Sequence, residues 1–96
     1  MRFREGEGGG EFRVDEAVLI DVRGLKCPFP VLKTARRMRA HAPGARFVVL
    51  TTDPMAAIDV PHFCAEKGHR LLARREEGGV LRFEIEKGAA EDRAKA

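Results

Sequence analysis

Proline and glycine divide this chain into six segments, and this division limits its fold more than any other feature. Such residues mark turns because glycine allows positive φ angles and proline cannot continue a hydrogen-bonded element. No apolar run between the breaks exceeds a handful of residues, so no segment is long enough to span a bilayer. The breaks fall at Gly24, Pro43-Gly44, Asp53-Pro54, Gly68 and Gly78-Gly79.

Residue periodicity assigns each segment to a helix or a strand. Residues 17–22 and 46–52 are rich in apolar and β-branched residues, as is typical of strands. Apolar residues recur at helical spacing from residue 28 to about residue 41. The pattern therefore begins β-α-β.

A second helix is predicted between Asp53 and Lys67, and Gly68 is its C-cap. Asp53 is a natural N-cap and Pro54 suits the first helical position. Pro61 would interrupt a helix that began so early. We therefore favour a turn followed by a helix that begins nearer Ala57, which places Pro61 within about the first turn.

Two strands close the chain, at residues 69–76 and 80–87, and Gly78-Gly79 joins them as a two-residue hairpin. In the second strand apolar and charged residues alternate, which indicates one buried face. The order β-α-β-α-β-β predicts an α/β (α+β) two-layer sandwich, a four-stranded mixed sheet with two helices on one face. We expect one domain over residues 15–88, a flexible glycine-rich extension over residues 1–14 and a flexible tail over residues 89–96.

Cys27 has the most unusual surroundings of any residue in the chain. We place it at the N-cap of the first helix, with Pro28 at the first helical position and Pro30 at the third. Free amides, the helix dipole and the cations Lys26 and Arg23 would all favour a thiolate and lower the thiol pKa. The alternative is that Cys27 is a small buried apolar residue, as many free cysteines are.

Other cysteine chemistries find less support. The fourth residue of "CPFP" is proline, so the motif holds no dithiol. No cysteine or histidine pair has the close spacing of usual zinc sites, and we expect no metal. No pattern specifies a histidine base for a cysteine hydrolase. Cys64, on the second helix, is predicted to have a packed core or half-buried position, although a redox sensor with a Cys27–Cys64 disulfide remains an alternative. The histidines at positions 41, 62 and 69 are expected on the surface or in loops near helix ends.

Charge is unevenly distributed in this chain of net charge +3. Residues 22–52 include seven basic residues and no acidic one. This pattern fits either a solvated helix face or an electropositive surface that attracts acidic proteins, small anions or RNA. A small RNA-binding module is therefore an alternative. Because the chain has no Tyr or Trp and no obvious stacking platform, we expect no direct nucleic-acid binding.

Two segments carry a family resemblance: "GLKCPFPVLKT" and "TTDPMAAIDVPHFC". Together they resemble the TusA-like (SirA-like) sulfur-carrier family, small single-domain proteins with a Cys-Pro-x-Pro motif at the start of the first helix. The resemblance covers about residues 18–88. The matching positions are Gly24, Cys27, Pro28, Pro30, Asp53-Pro54, Asp59 and Pro61.

The resemblance implies the β-α-β-α-β-β sandwich and a carrier rather than a free-standing enzyme. Cys27 would accept a sulfane sulfur as a persulfide from a cysteine desulfurase or a rhodanese-type donor, with no cofactor beyond this covalent sulfur. An acceptor protein would take the sulfur for tRNA thiolation, cofactor assembly, or sulfur oxidation and thiosulfate use. Gly24 would allow a tight approach of the chain at this site. Partner docking would use Phe29, where some relatives carry a polar or acidic residue, and the basic residues Lys33, Arg36 and Arg37.

The N-terminus shows no secretory signal pattern. We therefore expect a cytoplasmic protein that does not associate with membranes. We also expect a monomer.

Overall fold

Six elements follow one another in the predicted order in the computed structural model, which describes residues 16–89. The tails predicted at residues 1–14 and 89–96 lie outside the described residues, except for Ala89. The elements are β1 (Val18–Asp21), α1 (Phe29–Arg39), β2 (Arg46–Thr51), α2 (Ala56–Lys67), β3 (Arg70–Glu77) and β4 (Val80–Glu86).

The four strands form one mixed sheet in the order β1-β2-β4-β3. β1 runs parallel to β2, whereas β4 runs antiparallel to both of its neighbours. Gly78 and Gly79, between β3 and β4, have φ angles of 58° and 82°. Positive φ at both central residues is what a tight hairpin turn requires. The predicted mixed sheet and closing hairpin are confirmed.

The core lies on one face of this sheet. The register places Ile20 beside Val49 and Val49 beside Phe83, and all three side chains are fully buried. Met38 from α1 and Val60 from α2 belong to the same buried cluster. Both helices therefore cover the same face, as the two-layer prediction requires.

The start of α1 differs by one residue from the prediction. Pro28, not Cys27, is the N-cap, and Pro30 is the second helical residue rather than the third. The reason is a separate turn before the helix, in which the N–H of Phe29 donates to the carbonyl of Lys26 at 2.8 Å. The N–H of Leu32 donates to the carbonyl of Pro28 at 3.1 Å. Cys27 thus lies in the turn that precedes the helix.

α2 begins at Ala56, close to the start that Pro61 favoured, and ends at Gly68 with φ of 80°. Pro61 is nevertheless the sixth helical residue, beyond the first turn. Its missing N–H leaves the carbonyl of Ala57 without the usual donor four residues on. The guanidinium of Arg74 on β3 donates to that carbonyl at 3.4 Å, which explains how the helix accommodates an interior proline.

His69 follows Gly68 in the loop at the end of α2, one of the two positions expected for it, but its side chain is buried and not on the surface. Its ring packs against Phe63 with the centroids 5.3 Å apart. Its Nδ1 accepts a hydrogen bond from the N–H of Gly88 at 3.1 Å.

No helix between residues 16 and 89 has both the length and the apolar character that a membrane span requires.

Candidate active site

Two loops that leave the same edge of the sheet form the site. β1 and β2 are parallel neighbours, so the segments that follow them emerge side by side, where α/β proteins commonly place their sites. The N–H of Gly24 donates to Oγ1 of Thr52 at 2.9 Å. The N–H of Cys27 donates to Oδ2 of Asp53 at 2.5 Å. These hydrogen bonds join the loop that carries the cysteine to the loop that precedes α2.

Gly24 serves this loop through its backbone conformation. Its φ angle is 87°, in the region that side chains disfavour. A Cβ atom added there would meet nothing within 4 Å. The tight approach expected at Gly24 therefore does not depend on the missing side chain, and what favours glycine here is the turn that redirects the chain after β1.

The Cys27 thiol is exposed and donates a hydrogen bond to Oδ2 of Asp59, with Sγ and the oxygen 3.1 Å apart. Asp59 lies at the start of α2. Asp53 is the second nearby carboxylate, and its Oδ1 accepts from the N–H of Met55 at 3.1 Å. Sequence reasoning assigned Asp53 only a capping role and Asp59 only a place in the motif. The parallel pairing of the preceding strands is the signal that could have brought both to Cys27.

These carboxylates overturn the predicted activation of the thiol. The hydrogen bond to Asp59, with desolvation and the charges of Asp59 and Asp53, raises the pKa of Cys27 above its ordinary value. Arg23, expected to favour the thiolate, is bound to Asp21 instead, at 2.7 and 2.8 Å. That pairing lowers the pKa of Asp21 to about 2. Lys26 is exposed and is not among the causes that shift the Cys27 pKa.

A shallow cleft opens beside the thiol, and exposed apolar side chains occur at the starts of the two helices that line it. Phe29 at the start of α1 is 57% exposed, and Met55 and Ile58 at the start of α2 are 47% and 65% exposed. We call these three residues the apolar rim. The cleft itself is lined by Cys27, Pro28, Pro30, Val31, Asp53, Ala56 and Asp59.

The basic residues predicted for docking lie farther along α1. Lys33, Arg36 and Arg37 are all exposed. Arg37 also donates to the carbonyl of Leu19 at 3.5 Å. The helix therefore presents cations to solvent, while the thiol itself faces carboxylates.

Cys64 occupies a different environment from Cys27. It is 2% exposed within the buried cluster, so the predicted core position is confirmed. Burial raises its pKa to about 11. Both cysteines are free. Residues 16–89 contain no group of three or more His, Cys, Asp or Glu side chains placed to hold a metal ion.

The arrangement thus offers one accessible sulfur nucleophile beside a shallow cleft. Comparison with known proteins agrees with this chemistry. The family model described as Sulfurtransferase TusA matches residues 18–87. The sulfur carrier protein TusA of Pseudomonas paraeruginosa (strain DSM 24068 / PA7) is 39% identical over 71 residues, which cover 74% of this chain and 90% of that protein.

Two further relatives bear the same name. The sulfur carrier protein TusA of Pseudomonas entomophila (strain L48) is 40% identical over 70 residues, covering 73% of this chain and 88% of the relative. That of Pseudomonas putida (strain W619) is 39% identical over 71 residues, covering 74% and 89%. With the matching fold and cysteine motif, these similarities show that the chain belongs to the TusA family of sulfur carriers.

Proposed function

We propose that Cys27 carries a sulfane sulfur as a persulfide and relays it from a donor protein to an acceptor protein. The observation that carries this proposal is the single exposed thiol beside the cleft, since the other cysteine is buried. Among residues 16–89, the one side chain hydrogen-bonded to Sγ is the carboxylate of Asp59. A cysteine hydrolase instead pairs its thiol with an oriented base, usually histidine.

Loading of Cys27 is an exchange between two sulfur centres. The Cys27 thiol loses its proton, and its sulfur attacks the outer sulfur of a donor persulfide. The donor's S–S bond breaks, and the electron pair of that bond stays on the donor's inner sulfur. The inner sulfur then takes up a proton. The products are the Cys27 persulfide and the donor thiol, with no net oxidation or reduction and with no bound cofactor.

The outer sulfur then lies about 2.05 Å beyond Sγ. Because Cys27 is exposed, a second nucleophile can reach this atom. The acceptor attacks the outer sulfur, and Cys27 leaves as the thiol. An exposed position therefore serves both the loading and the unloading step.

The docking surface in this proposal has two parts, and its occupant is the sulfur-donor protein. The apolar rim, which includes Phe29, is exposed at the starts of the two helices that line the cleft and supplies apolar area that a partner can cover. Lys33, Arg36 and Arg37 extend along α1 and favour a donor with an acidic surface. The donor classes are a cysteine desulfurase, which draws on cysteine, and a rhodanese, which draws on thiosulfate.

Intact-mass measurement of the loaded protein tests the proposal. The chain is incubated with a cysteine desulfurase and cysteine, or with a rhodanese and thiosulfate. The mass is expected to rise by one sulfur atom in the wild type and in Cys64→Ala, but not in Cys27→Ser. A reductant should remove the added sulfur. If neither donor loads Cys27, the carrier proposal is wrong.

The same variants address the RNA-binding alternative. A salt-sensitive RNA affinity that persists in Cys27→Ala, without sulfur loading in the wild type, would favour a nucleic-acid module. The carboxylates beside the thiol argue against RNA at the cleft itself, since phosphate and carboxylate repel each other.

A further inference from the structure

The hydrogen bond between Cys27 and Asp59 poses a problem for a sulfur acceptor. The nucleophile in sulfur exchange is the thiolate. The Asp59 carboxylate, however, accepts a hydrogen bond from the thiol and bears the same negative charge as a thiolate. Asp53 adds a second carboxylate, and Arg23 is committed to Asp21. The isolated chain therefore favours the protonated sulfur.

Asp59 differs from Asp53 in the partners of its oxygens. Both oxygens of Asp53 accept backbone N–H groups, from Cys27 and Met55, and these bonds hold the loop. Within the described part of the chain, the one hydrogen bond that the Asp59 side chain accepts comes from Sγ. Asp59 is thus bound to the reacting atom and not to the loop backbone.

We propose that Asp59 gates Cys27. Its carboxylate keeps the proton on Sγ while the carrier is free, and it stops holding that proton when a cationic side chain of the donor protein pairs with it. This inference rests on the proposed function, and it names a catalytic residue and one feature of the donor. In the exchange, the proton that Sγ gives up passes to the donor's leaving sulfur. The atoms and electrons balance as in the loading step above.

The cleft supports the requirement for a cation. Cys27 and Asp59 both line it, so a partner that brings its sulfur to Cys27 also removes water from the carboxylate. A carboxylate that loses its water without gaining a counter-charge is strongly unfavourable. A donor that docks productively therefore presents a Lys or Arg to Asp59, and that pairing frees the sulfur.

The gate also accounts for how an exposed thiol is protected. Oxidation of cysteine follows thiolate character and accessibility. Cys27 is accessible, so burial does not protect it from oxidation. In the free carrier, protonation of the thiol provides that protection. Loss of the gate should therefore make Cys27 more reactive toward every small electrophile and no better as an acceptor from the donor protein.

Alkylation of the full chain by iodoacetamide tests the gate without any sulfur donor. Cys64→Ala is the background, so that one thiol is followed, and rates are measured from about pH 6 to about pH 10. Asp59→Asn should shift the rise in rate to lower pH and speed alkylation several-fold at neutral pH. Glu66→Gln, an equal charge change at an exposed position of α2, should leave the profile unchanged. Asp59→Ser provides a second variant, and thermal unfolding verifies that each is folded.

The second arm measures sulfur loading by whichever donor, desulfurase or rhodanese, loads the wild type. Asp59→Asn should load several-fold more slowly at limiting donor, although its thiol alkylates faster. An unchanged alkylation profile in both Asp59 variants would overturn the gate. Faster loading of Asp59→Asn by the donor would overturn the cationic pairing. Failure of the wild type to load would refute the proposed function instead, and the alkylation arm would still report on the gate.

Discussion

The backbone N–H of Cys27 donates to Oδ2 of Asp53 at 2.5 Å, across 26 positions of sequence. With the hydrogen bond from Gly24 to Thr52, it fixes the position of the thiol relative to the start of α2. The sulfur therefore meets Asp59 because backbone N–H groups of one loop donate to side chains of the other, and not because α1 alone orients it.

Asp53→Ala should release this junction. It removes the acceptor for two backbone donors, those of Cys27 and Met55. We expect the free energy of unfolding in urea to fall by about 1 to 2 kcal/mol, as for the loss of a capping side chain. Asp53→Asn keeps one acceptor oxygen and should lose less. Equal stability of Asp53→Ala and wild type would show that the junction contributes nothing.

Much of the fold follows from local signals in the sequence. Gly78-Gly79 and Gly68 adopt the positive φ angles that their positions predicted, and each ends an element as expected. Pro61 correctly argued for a late start of α2. The error at α1 is also local, because the turn from Lys26 to Phe29 takes up the residues that the helical pattern had claimed.

The chemistry at the sulfur was less predictable because it depends on contacts that are distant in sequence. The cations nearest to Cys27 along the chain suggested a lowered pKa, but Arg23 is paired with Asp21 two positions earlier. The carboxylate that decides the direction, Asp59, arrives from 32 positions away. The parallel pairing of β1 with β2 brings these segments to the same edge of the sheet.

Lys87 is a buried cation that supports the end of α1. Its Nζ donates to the carbonyls of Met38 at 3.0 Å and His41 at 2.6 Å, and the residue is 6% exposed. Lys87→Met should leave both carbonyls without this donor and lower the free energy of unfolding by about 2 kcal/mol. Lys67→Met, at an exposed position ending α2, is the matched control and should change stability little. Similar losses in the two variants would contradict this role.

The buried thiol of Cys64 should make the free energy of unfolding fall at alkaline pH. Its pKa is about 11 in the folded chain against an ordinary 9.0, so the unfolded chain loses the thiol proton first as pH rises. The contribution of the protonated thiol to the free energy of unfolding is complete below pH 9.0. About 2 kcal/mol of it is lost as pH rises to about 11. Cys64→Ala lacks this contribution, so its urea midpoint should approach that of the wild type between about pH 8 and about pH 10.5. A constant difference between the two proteins would refute the assignment.

Gly88 lies against the end of α2. A Cβ atom there would lie 1.9 Å from the carbonyl oxygen of Gly68, so the backbone would have to move. Gly88→Ala should cost about 2 to 3 kcal/mol, an overpacking effect. Gly44→Ala is the comparison, since its Cβ meets nothing within 4 Å and its cost of about 1 kcal/mol would come from φ of 94° alone. Urea unfolding that ranks Gly44→Ala as the more damaging change would contradict this packing.

The apolar rim predicts a defect confined to the encounter with the donor protein. Phe29 is 57% exposed, so Phe29→Ser removes little packing and should alter the unfolding free energy by less than about 0.5 kcal/mol. Its iodoacetamide profile should match the wild type, because Asp59 and Cys27 are unchanged. Sulfur loading should then slow through a KM that rises several-fold while kcat is kept, since the lost contact serves docking. Leu19→Ser, 54% exposed on β1, is the control for removing an exposed apolar side chain and should load normally. Equal KM values for all three proteins would place the docking surface elsewhere.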